Sequence, residues 1–179
     1  MRYRRHYLEG GSYFFTVNLA ERNRRLLVEH IDVLRDAVRG VRDRHPFQID
    51  AMVVMPNHLH AIFTLPPGDT DYSTRWMLIK AGFSRHLPKN ERIDASRLSK
   101  GERGLWQRRF WEHTLQNEND FCRHVDYIHY NPVKHGYVAR PADWPHSSIH
   151  RYIRAGILPA DWGIASPDAD PKFGERRLG

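Results

Sequence analysis

The chain is poor in cysteine and in long apolar runs, and each shortage removes a class of protein. Cys122 is the single cysteine, so an internal disulfide framework and a multi-cysteine metal knot are both excluded, and a reducing compartment is the expectation. No apolar run approaches the ~20 residues that span a bilayer. The opening MRYRRHYLEGG lacks the apolar stretch of a secretory signal, which makes the cytoplasm the expected location, with no membrane partner. Internal repeats and low-complexity blocks are missing too. Acidic residues are in deficit, 21 against 28 lysines and arginines, for a net charge of +7 and a pI near 9.8. A surface of that sign attracts anions such as nucleic acid, although charge alone does not separate a nucleic-acid binder from a merely soluble basic protein.

What is present is enough for one ordinary domain: 179 residues, 40% of them hydrophobic. SYFFTVNL (12–19) is aromatic and β-branched and follows Gly10-Gly11, the pattern of a strand. From Glu29 to Arg44, Ile31, Leu34, Val38 and Val41 recur at helical spacing, and His45-Pro46 stops the run. FQIDAMVVM (47–55) and HLHAIFTL (58–65) flank the turn-forming Pro56-Asn57 as a hairpin. A second helix is expected over 73–87, with Trp76, Ile79 and Phe83 as its stripe and Pro88 as its end. LWQRRFWEHTL (105–115) reads as a fourth strand, and a last helix runs from Glu118 to Tyr130, ending at Asn131-Pro132. The order β-α-β-β-α-β-α predicts an α+β fold of ferredoxin-like form, an antiparallel sheet with two helices on one face. Residues 1–150 form the expected domain and 151–179, without periodicity, a C-terminal tail.

Two clusters carry chemistry. His58 and His60 stand two apart on a strand, so both rings lie on one face and can share a metal. Among 12 histidines about 0.8 such pairs arise by chance, and two surface histidines are the bland alternative. Leu59, Ala61, Phe63 and Leu65 take the opposite face, which places the histidines on the sheet face away from the helices. In the last helix Tyr127 and Asn131 are four apart, about 40° around the axis, with His124 on the same side. A phenol can attack phosphorus when a metal polarises the phosphate, an amide oxygen of Asn131 can complete the metal's coordination, and His124 can hold the proton. Tyr130 sits about 100° from Asn131, and Tyr137 lies beyond Pro132 and Gly136, so Tyr127 is the better-placed phenol. The plain alternative for Tyr127 is a ring packed on the sheet.

MPNHLHAIFTLP, then WQRRFWEHTL, HVDYIHYNPVKHGYV and WPHSSIHRY, resembles the REP-associated tyrosine transposases of the HUH single-strand transposase superfamily, in order over residues 1–152. The resemblance implies metal ligands at His58, His60 and Asn131, a nucleophile at Tyr127, and a tyrosine-bearing helix across the open sheet face. It further implies cutting of single-stranded DNA near a REP-type hairpin through a 5′-phosphotyrosine link, by a monomer. Mg²⁺ or Mn²⁺ is the expected cofactor, because an amide and phosphate oxygens suit hard cations. Arg2, Tyr3, Arg4 and Arg5 form an expected DNA-gripping arm, alternating phosphate binders with a stacking ring. Arg75, Lys80, Arg85, Arg108 and Arg109 are further expected DNA contacts. A non-catalytic hairpin-binding protein and a metal-dependent hydrolase of small phosphoesters are the competing readings.

Overall fold

A computed structural model describes residues 9–164. Four strands, β1 (Ser12–Asn18), β2 (Gln48–Val54), β3 (His58–Thr64) and β4 (Trp111–Thr114), make an antiparallel sheet in the order β2-β3-β1-β4. Three longer helices, α2 (Ile31–Arg44), α3 (Tyr72–Arg85) and α5 (Glu118–Lys134), pack around it, with short helices α1 (Leu26–Glu29), α4 (Ala95–Leu98) and α6 (Ile149–Arg154) between and after them. The expected ferredoxin-like α+β sheet is therefore present.

Side-chain alternation builds two cores. Tyr13, Phe15 and Val17 of β1 and Leu59, Ala61 and Phe63 of β3 point to one face, where they meet Leu34, Val38 and Val41 of α2 and Tyr72, Trp76, Ile79 and Phe83 of α3. Both helices are amphipathic in the manner the apolar spacing dictates. Asp71 caps α3 by accepting from Thr74 N at 2.9 Å. On the other face Phe14, Ala51, Val53 and Ile62 pack against Val125, Tyr127 and Ile128 of α5 and against Trp144. Gly10, at φ +64°, lets the chain enter β1 with its N–H on Asp69 O at 3.1 Å, where a side chain would crowd Pro67.

Three boundaries differ from those expected. The fourth strand is only four residues long. Leu19 and Trp106 form an isolated bridge, but the chain then leaves the ladder, with Arg108 and Arg109 exposed and the Gln107 carbonyl accepting from Lys80 Nζ at 2.7 Å. Helix α5 runs through Pro132 to Lys134. One missing N–H so near a C-terminus is tolerated, and Gly136 at φ +70° closes the end with its own N–H on Val133 O and Tyr137 N on Pro132 O, both 2.9 Å. Finally, the boundary expected at 150 falls inside α6. Tyr152 Oη donates to Asp50 O at 3.0 Å, and Trp162 stands against His129 with ring centroids 6.2 Å apart, so the chain stays packed beyond that point. The remainder of the expected tail, 165–179, lies outside the described residues.

Candidate active site

His58 and His60 enter β3 directly after a tight turn in which Met55 N bonds His58 O at 2.8 Å. Antiparallel pairing sets Asn18 opposite His58 and Thr16 opposite His60. Each imidazole has one nitrogen engaged: His58 Nδ1 with Asn57 Oδ1 at 2.7 Å and His60 Nδ1 with Thr16 Oγ1 at 2.9 Å. His58 Nδ1 donates to the amide oxygen, which fixes that ring and leaves its other nitrogen as a lone pair, and a Thr16 hydroxyl that accepts from His60 Nδ1 does the same for the second ring, the usual arrangement around a metal-ligating histidine. The two rings are 5.1 Å apart and steeply inclined.

The face holding these rings is not open. Helix α5 covers it, leaving His58 7% and His60 3% exposed. Burial, followed by the nearby His135 and Arg22, pushes His58 down to about 3. Burial and His58 likewise lower His60 well below the ordinary imidazole value. Both rings are thus neutral at pH 7, the protonation state a metal ligand requires.

Asn131 comes down onto the pair from α5. It is fully buried, and its amide lies close enough to His58 to favour that ring's protonated form, yet neither Oδ1 nor Nδ2 completes a hydrogen bond of normal geometry. A buried amide with both ends unsatisfied is costly and uncommon. Beside two neutral imidazoles with directed lone pairs, it fits a divalent cation.

Tyr127, one helical turn earlier, faces the same place. Its ring meets the His60 ring edge-on at 5.1 Å and Phe14 at 5.8 Å. Tyr130 turns instead toward Trp162, at 6.5 Å, and the partly exposed Tyr137 packs on Trp144 at 5.3 Å. The structure therefore brings together Tyr127, His58, His60 and Asn131 and leaves the other two phenols outside. His124 is on the Tyr127 side of α5, but its Nδ1 is committed to the Asp120 carbonyl at 2.8 Å, and its ring packs on Phe14 and His113.

The expected DNA contacts separate in the same way. Arg75 is a correction: it is 3% exposed, and its guanidinium donates to His45 O, Pro46 O, Asp71 O and both oxygens of Asp69 at 2.6–3.2 Å. It ties α3 to the end of α2 and has no donor left for a phosphate. Lys80 is half-buried, and burial followed by Arg97 lowers it to about 8. Arg85, Arg108 and Arg109 are exposed, Arg108 being bridged to Glu102 at 2.8 Å. Arg2, Tyr3, Arg4 and Arg5 lie outside the described residues.

Three cations or potential cations near the site escaped the sequence reading. Lys134 Nζ lies 5.0 Å from the Tyr127 ring centroid, the His135 ring stands 5.1 Å from that of His58, and Arg22 donates to Asn18 Oδ1 at 2.6 Å. Helical spacing, seven residues from Tyr127 to Lys134 and four from Asn131 to His135, would have found the first two had the helix not been ended at Pro132.

Comparison with known proteins gives the family. The family described as "Transposase IS200 like" matches residues 10–131. A REP-associated tyrosine transposase of Escherichia coli (strain K12) is 45% identical over 174 residues, 97% of this chain and 96% of that protein. The chain belongs to the REP-associated tyrosine transposases of the IS200-like family. A putative REP-associated tyrosine transposase of Haemophilus influenzae is 44% identical over 167 residues, covering 93% of this chain and 94% of its own. Among solved structures, a REP-associated tyrosine transposase bound to a REP hairpin superposes with a TM-score of 0.80 at 42% identity, covering 100% of this chain and 99% of that one. Membership of this family makes the chain a transposase-type enzyme, and no helix among the described residues is long and apolar enough to cross a membrane.

Proposed function

We propose that this transposase cuts single-stranded DNA beside REP-type hairpins by direct attack of Tyr127 on a backbone phosphate. The carrying observation is the buried amide of Asn131, without a hydrogen bond of normal geometry, beside His58 on the helix face that also presents Tyr127 to His60. His58, His60 and Asn131 would hold Mg²⁺ or Mn²⁺, which when bound supplies Lewis-acid polarisation of the phosphate. The Tyr127 oxygen gives up its proton and forms a bond to phosphorus. The bond from phosphorus to the 3′ oxygen breaks, and that oxygen takes a proton, leaving a 5′-phosphotyrosine and a free 3′-hydroxyl. Because an ester is exchanged for an ester, the link stays competent for rejoining. Lys134 and Arg22 place positive charge at the edges of the site, where a phosphate carrying extra negative charge is stabilised. The ring of Tyr127 is held between Phe14 and His60, so the attacking oxygen is oriented before substrate arrives.

The test is incubation of the chain with hairpin-bearing single-stranded DNA and Mg²⁺ or Mn²⁺, followed by denaturing electrophoresis. A covalent protein–DNA band is expected for the native chain and for Tyr130→Phe, and none for Tyr127→Phe, which keeps the ring and loses only the hydroxyl. An adduct that persists in Tyr127→Phe overturns the assignment. Hairpin binding without any adduct in the native chain returns the reading to a non-catalytic hairpin binder.

A further inference from the structure

Helix α5 begins beside a second group of ligand-type side chains. His113 projects from β4, and Asp120 and His124 come from the first two turns of α5, four residues apart and so on one face. One nitrogen of each ring and a carboxylate oxygen all lie within 4.8 Å of one another. Asp120 joins the rings, with Oδ2 2.9 Å from His113 Nε2 and Oδ1 3.1 Å from His124 Nδ1. The carboxylate is itself oriented, since Oδ2 also accepts from Gln116 N at 3.0 Å. His124 is buried and His113 is partly exposed, which leaves one side of the group within reach of solvent.

We propose that His113, Asp120 and His124 form a second metal site, selective for a zinc-class ion and separate from the site at Tyr127. Two imidazoles and one carboxylate suit a borderline transition ion, whereas magnesium prefers oxygen ligands throughout. Ligand atoms about 2.1 Å from a tetrahedral ion lie about 3.4 Å from one another. The observed 2.9 and 3.1 Å run to the two different oxygens of Asp120, so the carboxylate has to turn to bring one oxygen to that distance from both ring nitrogens. The two rings now stack at 4.9 Å and 22°, and both must turn so that their lone pairs meet at one point. In each ring the proton on the nitrogen that now faces Asp120, for His124 the Nδ1 proton donated to the Asp120 carbonyl at 2.8 Å, has to pass to the other ring nitrogen, which frees the first as a lone pair. Three protein ligands leave the fourth position to water.

The place of the cluster gives it a consequence. His124 packs on Phe14 at 4.7 Å, and Phe14 in turn touches His60 at 5.6 Å and Tyr127 at 5.8 Å. An ion bound there fastens the start of α5 to β4 and so sets where Tyr127 stands. The three ligands act as positioning residues.

The test uses the full chain stripped with chelator and titrated with Co²⁺ or Zn²⁺. A His58→Ala/His60→Ala variant, which lacks the other site, is expected to bind one Co²⁺ per chain with the visible absorption of a four-coordinate ion, displaced by Zn²⁺. Adding His113→Gln or Asp120→Asn should weaken that binding at least about 100-fold, the upper end of what loss of an outer-shell partner alone costs. No binding in the double variant, or binding undiminished by both added substitutions, overturns the site. If circular dichroism shows that the double variant is unfolded, stoichiometry decides: two ions per native chain against one in His113→Gln supports the proposal, and equal numbers refute it. Because the readout is metal content and not cleavage, a failure here leaves the assignment of Tyr127 standing.

Discussion

Alternate residues of the same strands meet two different environments. Tyr13, Phe15, Val17, Leu59, Ala61 and Phe63, on the α2/α3 face, are apolar side chains at 1% exposure or less. On the α5 face Thr16 and Asn18 stand across from His60 and His58, and α5 adds His124, His129 and Asn131, all three buried. Both faces are covered, so the difference is not one of access to water. The first face is filled with groups that gain by leaving water, whereas the second sets, beside its own apolar cluster of Phe14, Val53, Ile62 and Ile128, groups whose burial costs free energy unless something satisfies them. Both sides of the sheet carry apolar packing, but the chemistry of this chain is concentrated on one of them.

Truncation of the apolar face is the largest way to sharpen that comparison. Phe63 lies 4.3 Å from Phe47 and 4.7 Å from Trp76, nearly parallel to the latter. Phe63→Ala should cost about 3–5 kcal/mol in chemical denaturation, while the protein that remains folded keeps its cleavage activity. A loss below about 1 kcal/mol, or activity lost per folded molecule, would mean that the two faces are not separable.

Acid should act on the other face. Burial lowers His58 to about 3 and, with the charge of Arg151 adding to it, His129 to about 3 also. A folded value below the unfolded one means that the unfolded chain binds more protons between about 3 and the ordinary 6.5. The stability these two groups contribute is therefore complete above about pH 6.5 and is lost as pH falls through that window. Each should cost about 1.4 kcal/mol per pH unit, so together about 3 kcal/mol is gone near pH 5.5. Denaturation series from pH 7.5 to 5 would measure this, and His129→Phe, which leaves the metal ligands intact, should reduce the slope by less than half, because His60 is lowered as well as His58.

The contrast between the faces also explains what could be read from residue order. Strands β1 and β3, helices α2 and α3 and the pairing of His58 with His60 follow from periodicity, because an apolar face imposes its period on the sequence. Tyr127 and Asn131 follow from helical spacing. Arg75 could not be placed this way: an arginine on a helix looks solvated until the loop carrying Asp69 is folded against it. Lys134 and His135 were hidden by Pro132, a local stop signal that a glycine cap four residues later overrode. The packing of 149–164 rests on scattered contacts from Ile149, Arg151, Tyr152 and Trp162, which leave no period to detect.

A smaller effect, of opposite sign, is expected at Asn131. Its amide is buried with both ends unsatisfied, and a buried polar group without a partner costs about 1–3 kcal/mol. Asn131→Leu keeps much of the volume and removes the polar ends, so it should raise stability in metal-free buffer by about 1–2 kcal/mol. Cleavage should be abolished in the same variant. A destabilised Asn131→Leu would show that the amide is satisfied within the fold and is not held ready for a cation.

The smallest predicted effect concerns arginines that belong to neither core. Arg108 and Arg109 are exposed where the chain leaves the sheet ahead of β4, whereas Arg75 has its donors turned inward. An arginine that neutralises a phosphate releases counterions, and on single-stranded DNA each such contact contributes about 0.7 to the slope of log affinity against log salt. Arg108→Ala with Arg109→Ala should flatten that slope by about 1.4 if both touch phosphate, and weaken binding similarly for unrelated sequences. The structure should be unharmed, because the Arg108–Glu102 pair is largely solvent-exposed and contributes little. Arg75→Ala should do the reverse, lowering the melting temperature by stranding Asp69 and the end of α2 while leaving the salt slope of the folded fraction as it was. A flattened slope in Arg75→Ala, or none in the double variant, would place the DNA on another part of the surface and return Arg85 and Lys80 to consideration as its contacts.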